Sequence, residues 1–208
     1  TVPAGTAAQN PPIGASSRQF GSDPGAVADA VSTVVRAMLG SGLGTTAKHF
    51  PGLGRVRLNT DTSTGAVDDR AGPNDPFLQP FRAAVDAGTT AVMVSSASYP
   101  GLDPDRLAAF SAPIVTDLLK GTLGFTGMVL SDDLGNAVAV SGRPPGQRAV
   151  DFVAAGGDLV LTVDAADAGP MTAALIARAG RDPAFASRTR DAALRVLRSK
   201  QDAGLLVC

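Results

Sequence analysis

Two short segments hold the residue types that do chemistry. Lys48-His49-Phe50-Pro51-Gly52-Leu53-Gly54 places a cation and an imidazole where a short apolar strand runs into a tight Pro/Gly loop. Val129-Leu130-Ser131-Asp132-Asp133-Leu134 is an apolar run that stops at two carboxylates. Parallel α/β folds put their chemistry at strand ends that open into polar loops, because the strand fixes the side chain while the loop gives access. The spacing alone leaves each group two roles. Asp132 fits a carboxylate held in one direction for catalysis, and it or Asp133 fits a cap on the segment that follows. Lys48 fits a solvated strand-end charge as well as a ligand contact. His49 fits a satisfied structural histidine as well as a working one.

Periodicity gives the elements that must position these groups. Residues 1–24 are rich in Pro, Gly, Ser and Ala and read as an extended loop. Asp23-Pro24 opens a helix in which Val27, Val31, Val34, Val35 and Met38 recur at helical spacing, until Gly40 to Gly44 stop it. Strands are predicted over 45–50, 90–95, 127–130 and 158–163. Helices are predicted over 76–87, 112–120, 148–155 and 170–203, the last broken near Asp182-Pro183. Between them lies a long polar loop, 51–74, with a Thr/Asp-rich centre; loops of that length inside a compact domain are functional or mobile.

Bulk composition narrows the function classes. The chain has 208 residues, 44% hydrophobic and 18% charged, which is the balance of a packed globular domain. Its net charge of −1 gives no electrostatic reason to expect nucleic acid or an anionic membrane. Aromatic residues are 4% and Trp is absent, so no base-stacking platform is expected either. The one cysteine, Cys208, excludes a disulfide within the chain, and the one histidine excludes a His-rich zinc site. No uninterrupted apolar stretch approaches the ~20 residues of a membrane span. The first residues lack a basic and then apolar leader, so no signal peptide is expected there.

The alternation of strand, loop and helix predicts a parallel sheet with right-handed crossovers. Four such strands suit part of a (β/α) barrel or an open doubly wound sheet. No GxGxxG follows a strand, which disfavours a dinucleotide fold and a phosphate-cradling enzyme. A full barrel takes about 250 residues; this chain is short for one and opens in a loop.

The motifs resemble those of glycoside hydrolase family 3, in its single-domain β-N-acetylhexosaminidase branch. Lys48 to Gly54 is similar to Lys-His-Phe-Pro-Gly-His-Gly, with Leu53 in place of the second histidine. Ser131 to Leu134 matches Ser-Asp-Asp-Leu, and Arg18 to Pro24 is similar to Arg-Ser-Phe-Gly-Ser-Asp-Pro. Tyr99 to Pro104 and Leu118 to Phe125 resemble the stretches that join those motifs. The resemblance implies a (β/α)8 TIM-barrel-like α/β fold, with the C-terminal part of the barrel in residues 1–208 as one domain. Roughly three upstream strands of the eight-stranded barrel would then be absent. The implied partners are a carbohydrate substrate, such as cell-wall fragments, and the missing N-terminal part of the barrel, on the same or a separate chain. No cofactor is implied. Members of this family are cytoplasmic or exported lipoproteins, and these residues leave that choice open.

The resemblance also implies roles. Retaining hydrolysis needs a carboxylate nucleophile and an acid/base group. Asp132 corresponds to the nucleophile. Lys48 and His49 correspond to groups that hydrogen-bond sugar hydroxyls. Arg18 corresponds to a group that holds a hydroxyl or acetamido group, and Asp133 to a supporting group in the substrate site. The branch uses an Asp-x-His pair in the long loop, the histidine acting as acid/base. Here Asn59-Thr60-Asp61 stands in that place. Either Asp61 takes over as a carboxylic acid/base, or catalysis is impaired and the site binds sugar. On local chemistry alone the same triplet fits an Asx turn.

Overall fold

The computed structural model describes residues 1–206. Its centre is a parallel sheet built from β1 (Thr46–Phe50), β2 (Ala91–Val94), β5 (Met128–Asp133) and β6 (Leu159–Leu161), in that spatial order. Between β2 and β5 the chain makes a small antiparallel ribbon, β3 (Ser98–Tyr99) with β4 (Asp103–Leu107). The helices are α1 (Pro24–Gly40), α2 (Gln79–Asp86), α3 (Pro145–Ala155), α4 (Ala165–Ala179) and α5 (Pro183–Asp202), with a π-wound helix over Pro113–Thr122. α1 packs on α2, and α4 packs on both α3 and α5.

β2 is the hub of the sheet. Val92 and Val94, which share one face, are fully buried, and on the other face Ala91 is buried and Met93 half-buried. In the register, Lys48 lies level with Met93, and Met93 with Leu130. The C-terminal ends of β1 and β5 therefore flank that of β2, and the two motifs meet at one rim. Phe50 meets Phe81 of α2 edge to face at 5.2 Å between ring centroids, which fixes the end of β1.

Element starts follow local chemistry. The Asp23 side chain accepts from the Ala26 amide and Pro24 fills the first turn, so α1 begins where expected. Several boundaries differ from the expectation. β5 runs on through Asp132 and Asp133, because the Leu161 amide donates to Ser131 Oγ and the Val163 amide to Asp133 Oδ1. α4 starts at Ala165, capped by Asp164, and takes Pro170 inside it. The helix near 112–120 is π-wound, which apolar spacing does not distinguish from α. Residues 1–24 contain 3-10 turns at Ala7–Gln9 and Gly14–Ser16, and the β3–β4 ribbon was not expected.

Among the described residues the sheet is open: β1 pairs only with β2, and β6 only with β5. Apolar side chains crowd both edges without cover. On α1, Val34 and Met38 are 43% and 38% exposed, and beside β6 Val163 is 67% exposed.

Candidate active site

β1 delivers Lys48 and His49 to the rim, and β5 delivers Asp132 and Asp133. His49 Nε2 lies 3.8 Å from Asp132 Oδ2, beyond hydrogen-bond distance, so the carboxyl is not locked in a close ion pair with the imidazole. The histidine side chain is 7% exposed and that of Asp132 20%. Burial pushes the His49 pKa down to about 4; Lys48 and Arg18 push the same way, while Asp61 pushes back. The imidazole is therefore neutral at neutral pH, and its Nδ1 is buried without a partner among the described residues.

Asp132 is shifted the other way. Burial raises its pKa, against the Asp133 amide donating to Oδ1 at 2.9 Å and the attraction of Lys48 and Arg18. The site thus holds a carboxylate short of water but facing two cations. Asp133 has a different geometry. Its Oδ1 accepts from the amides of Gly135 and Val163 and its Oδ2 from that of Asn136. Those bonds hold the turn after β5 against β6, so the capping role open in the sequence falls to Asp133. The same carboxylate is the one to which the resemblance assigns a supporting hydrogen-bonding role in the substrate site.

Arg18 reaches the same rim from the N-terminal segment, where its Nη1 donates to the Pro12 carbonyl at 3.0 Å. Asn10, unremarked in the sequence, secures that segment. Its Nδ2 donates to the carbonyls of Leu53 at 2.7 Å and Val56 at 2.6 Å, and its Oδ1 accepts from the Gly14 amide. One buried amide side chain therefore ties the segment carrying Arg18 to the loop behind Lys48. Arg148, also missed, supports the turn after Asp133 by donating to the carbonyls of Leu134, Gly135 and Arg143. Tyr99 is fully buried, its hydroxyl 3.0 Å from the Gly52 carbonyl.

The Asn59-Thr60-Asp61 segment forms the Asx turn: the Asp61 amide donates to Asn59 Oδ1. It is docked rather than free. The Ala139 amide donates to the Thr60 carbonyl and the Val138 amide to that of Asp61, which seats the loop on the turn downstream of Asp132. Thr60 is buried and Asp61 exposed. Arg18, Lys48, His49, Asp132 and Asp133 share one neighbourhood, and Asp61 approaches it on the His49 side.

A cavity of about 490 Å³ adjoins it. Its lining includes Arg18, Lys48 and His49 together with Val27, Val31 and Met38 of α1. Asp132 is not among the residues that line it. The lining draws on α1, on β1 and the loop after it, and on the N-terminal segment, and none of it comes from β5. Among the described residues no group of three His, Cys or acidic side chains is arranged to hold a metal ion.

The depressed histidine pKa has a measurable consequence. Between its folded value of about 4 and its unfolded value of 6.5, the unfolded chain binds the proton the native state refuses. Stability is therefore intact above that window and falls as pH drops through it, by on the order of 3 kcal/mol in full. Urea unfolding of wild type and His49→Gln across this range checks it. The stability difference between the two should shift in favour of the variant as pH falls, and a pH-independent difference contradicts it.

Residues 3–198 match the model of the glycosyl hydrolase family 3 N-terminal domain, and the chain belongs to that family. A β-hexosaminidase of Stenotrophomonas maltophilia is 40% identical over 146 residues, 69% of this chain and 43% of the relative. The chain thus spans less than half the length of this curated relative. Among solved structures, the β-N-acetylhexosaminidase of Beutenbergia cavernae superposes with a TM-score of 0.93 at 46% identity, over 96% of this chain and 60% of that one. A family 3 β-N-acetylglucosaminidase of Paenibacillus sp. str. FPU-7 gives 0.82 at 28% identity, over 90% of this chain and 36% of that one. The chain is β-hexosaminidase-like in sequence, and its parallel α/β sheet is similar to the corresponding part of these enzymes.

Proposed function

We propose that this chain carries the nucleophile-bearing part of a retaining glycosidase that cleaves β-linked N-acetylhexosamine. The observation that carries the reading is Asp132: a carboxylate at the C-terminal rim of a parallel sheet, short of water, with Lys48, Arg18 and a neutral His49 converging on it. Asp132 attacks the anomeric carbon as the glycosidic C–O bond breaks, and the Asp61 carboxylic acid gives its proton to the leaving oxygen. Water then attacks the same carbon, Asp61 takes the water proton, and the bond to Asp132 breaks with the configuration retained. Lys48 and Arg18 hold the sugar's hydroxyl and acetamido groups.

The barrel context belongs to the same proposal. Unpaired edges at β1 and β6, each beside exposed apolar side chains, fit a sheet closed by further strands of a TIM barrel. The missing strands come from the N-terminal part of the barrel.

One observation favours a second reading, a sugar-binding protein without turnover. Asp61 is exposed, and a carboxylic acid that donates a proton near neutral pH needs burial or a neighbouring anion. Incubation of the native full-length protein with 4-nitrophenyl N-acetyl-β-glucosaminide separates the two. Nitrophenol release supports the glycosidase. Calorimetric binding of N-acetylglucosamine without release supports the binder, and neither signal rejects both.

A further inference from the structure

The loop that carries Asp61 is closed at its base by one guanidinium. Arg55 directly follows the Lys48–Gly54 motif. Its Nε donates to Asp68 Oδ2 at 2.9 Å, thirteen positions along the chain, and its Nη2 donates to Asp75 Oδ2. The same guanidinium lies over the Phe77 ring, 4.4 Å from its centroid. The side chains of Arg55, Asp68 and Asp75 are 9%, 3% and 5% exposed, so this is a buried triad and not a surface pair. Each carboxylate also organises backbone. Asp68 Oδ1 accepts from the amides of Arg70 and Ala71, and Asp75 Oδ1 from that of Phe77 at the start of the following helical turn.

The excursion between Arg55 and Asp68 contains Asn59-Thr60-Asp61; Val56 and Ala66 anchor its two stems in the core, and the polar stretch between them has only the exposed Leu58 as a large apolar side chain. Its far end is held by the two backbone bonds to Val138 and Ala139. At its near end Asn10 binds the Val56 carbonyl and Ser98 pairs with Ala66 and Asp68 through the backbone, and Arg55 is the side chain that bridges one stem to the other. We propose that Arg55 is a positioning residue for Asp61: by joining both stems of the loop, it sets where the Asp61 carboxyl stands relative to Asp132. This rests on the reading of Asp61 as acid/base. A lysine keeps the charge but cannot bridge two carboxylates with a planar fork or stack flat on Phe77.

The test is a double-mutant cycle in the native full-length protein, using a β-linked N-acetylglucosamine disaccharide, whose leaving sugar oxygen needs the proton that nitrophenolate does not. Arg55→Lys is expected to lower kcat by between about ten- and a hundredfold, the scale of misplacing a catalytic group by an ångström, with KM changed far less. Asp61→Asn with Arg55→Lys should be no slower than Asp61→Asn alone. Asp75→Asn, which releases one arm of the clamp, should repeat that non-additivity and serves where Arg55→Lys does not fold, as judged by circular dichroism. Losses that multiply, or an Arg55→Lys enzyme with wild-type kinetics, overturn the proposal. The single variant Asp61→Asn judges the underlying reading separately: wild-type rates there remove the acid/base role, whatever Arg55 does.

Discussion

Asp132→Asn is expected to turn over roughly a thousandfold or more slowly than wild type, and to be the more stable protein at neutral pH. The first half follows from the proposed role of Asp132 as covalent nucleophile, which other catalytic groups do not replace. The second follows from linkage. Burial raises the Asp132 pKa in the folded chain. Its native-state contribution is therefore favourable below the unfolded carboxyl value and is lost as pH rises through the folded one. At neutral pH the anion is held at a cost that an uncharged amide avoids. Asparagine keeps the oxygen that accepts from the Asp133 amide, so the turn is not undone. Active sites store instability in this way, and removing the working group relieves it. Thermal melts from acid to neutral pH, run beside the nitrophenyl assay, read both halves. The stability gain should grow as pH rises. A variant that is inactive but less stable at neutral pH shows that Asp132 is instead a structural anchor.

Much of the scaffold was legible because it rests on local pattern. Ala91-Val92-Met93-Val94 is apolar on both faces and became the central strand. Asp23-Pro24 and the valine spacing marked α1. That spacing also shows its limit: it gives the face of a helix, not what covers it, and Val34 and Met38 remain exposed beside the open edge of β1. The β3–β4 ribbon was missed because Asp103-Pro104-Asp105-Arg106 carries no alternating apolar signal and a proline a strand reader discounts. In the site, Lys48, His49 and Asp132 were visible because strand ends announce themselves. Asn10 and Arg148 were not. Asn10 serves a carbonyl 43 positions away, and such a bond leaves no trace in local spacing. Arg55 stood in plain view after Gly54, but its partners Asp68 and Asp75 are defined only when the loop closes.

The last expectation turns on Asp61. Asp61→Asn should lower kcat by about two to four orders of magnitude, since a positioned general acid contributes about that much. The identity of the group also predicts the acceptor. In the proposed mechanism the sugar is bonded to Asp132, and whatever then attacks the anomeric carbon must pass the acid/base. A histidine there, neutral or cationic, tolerates an anion such as phosphate. A carboxylate repels it and takes a proton readily from water. The wild-type protein is therefore expected to release free sugar in concentrated phosphate buffer, with no sugar 1-phosphate and no rate increase. Asp61→His should relax that exclusion, because Arg18 and Lys48 remain nearby to attract the anion. Product analysis by chromatography decides the matter. Sugar 1-phosphate from the wild-type protein removes Asp61 from the acid/base position, since a carboxylate standing over the anomeric carbon cannot admit a second anion that readily.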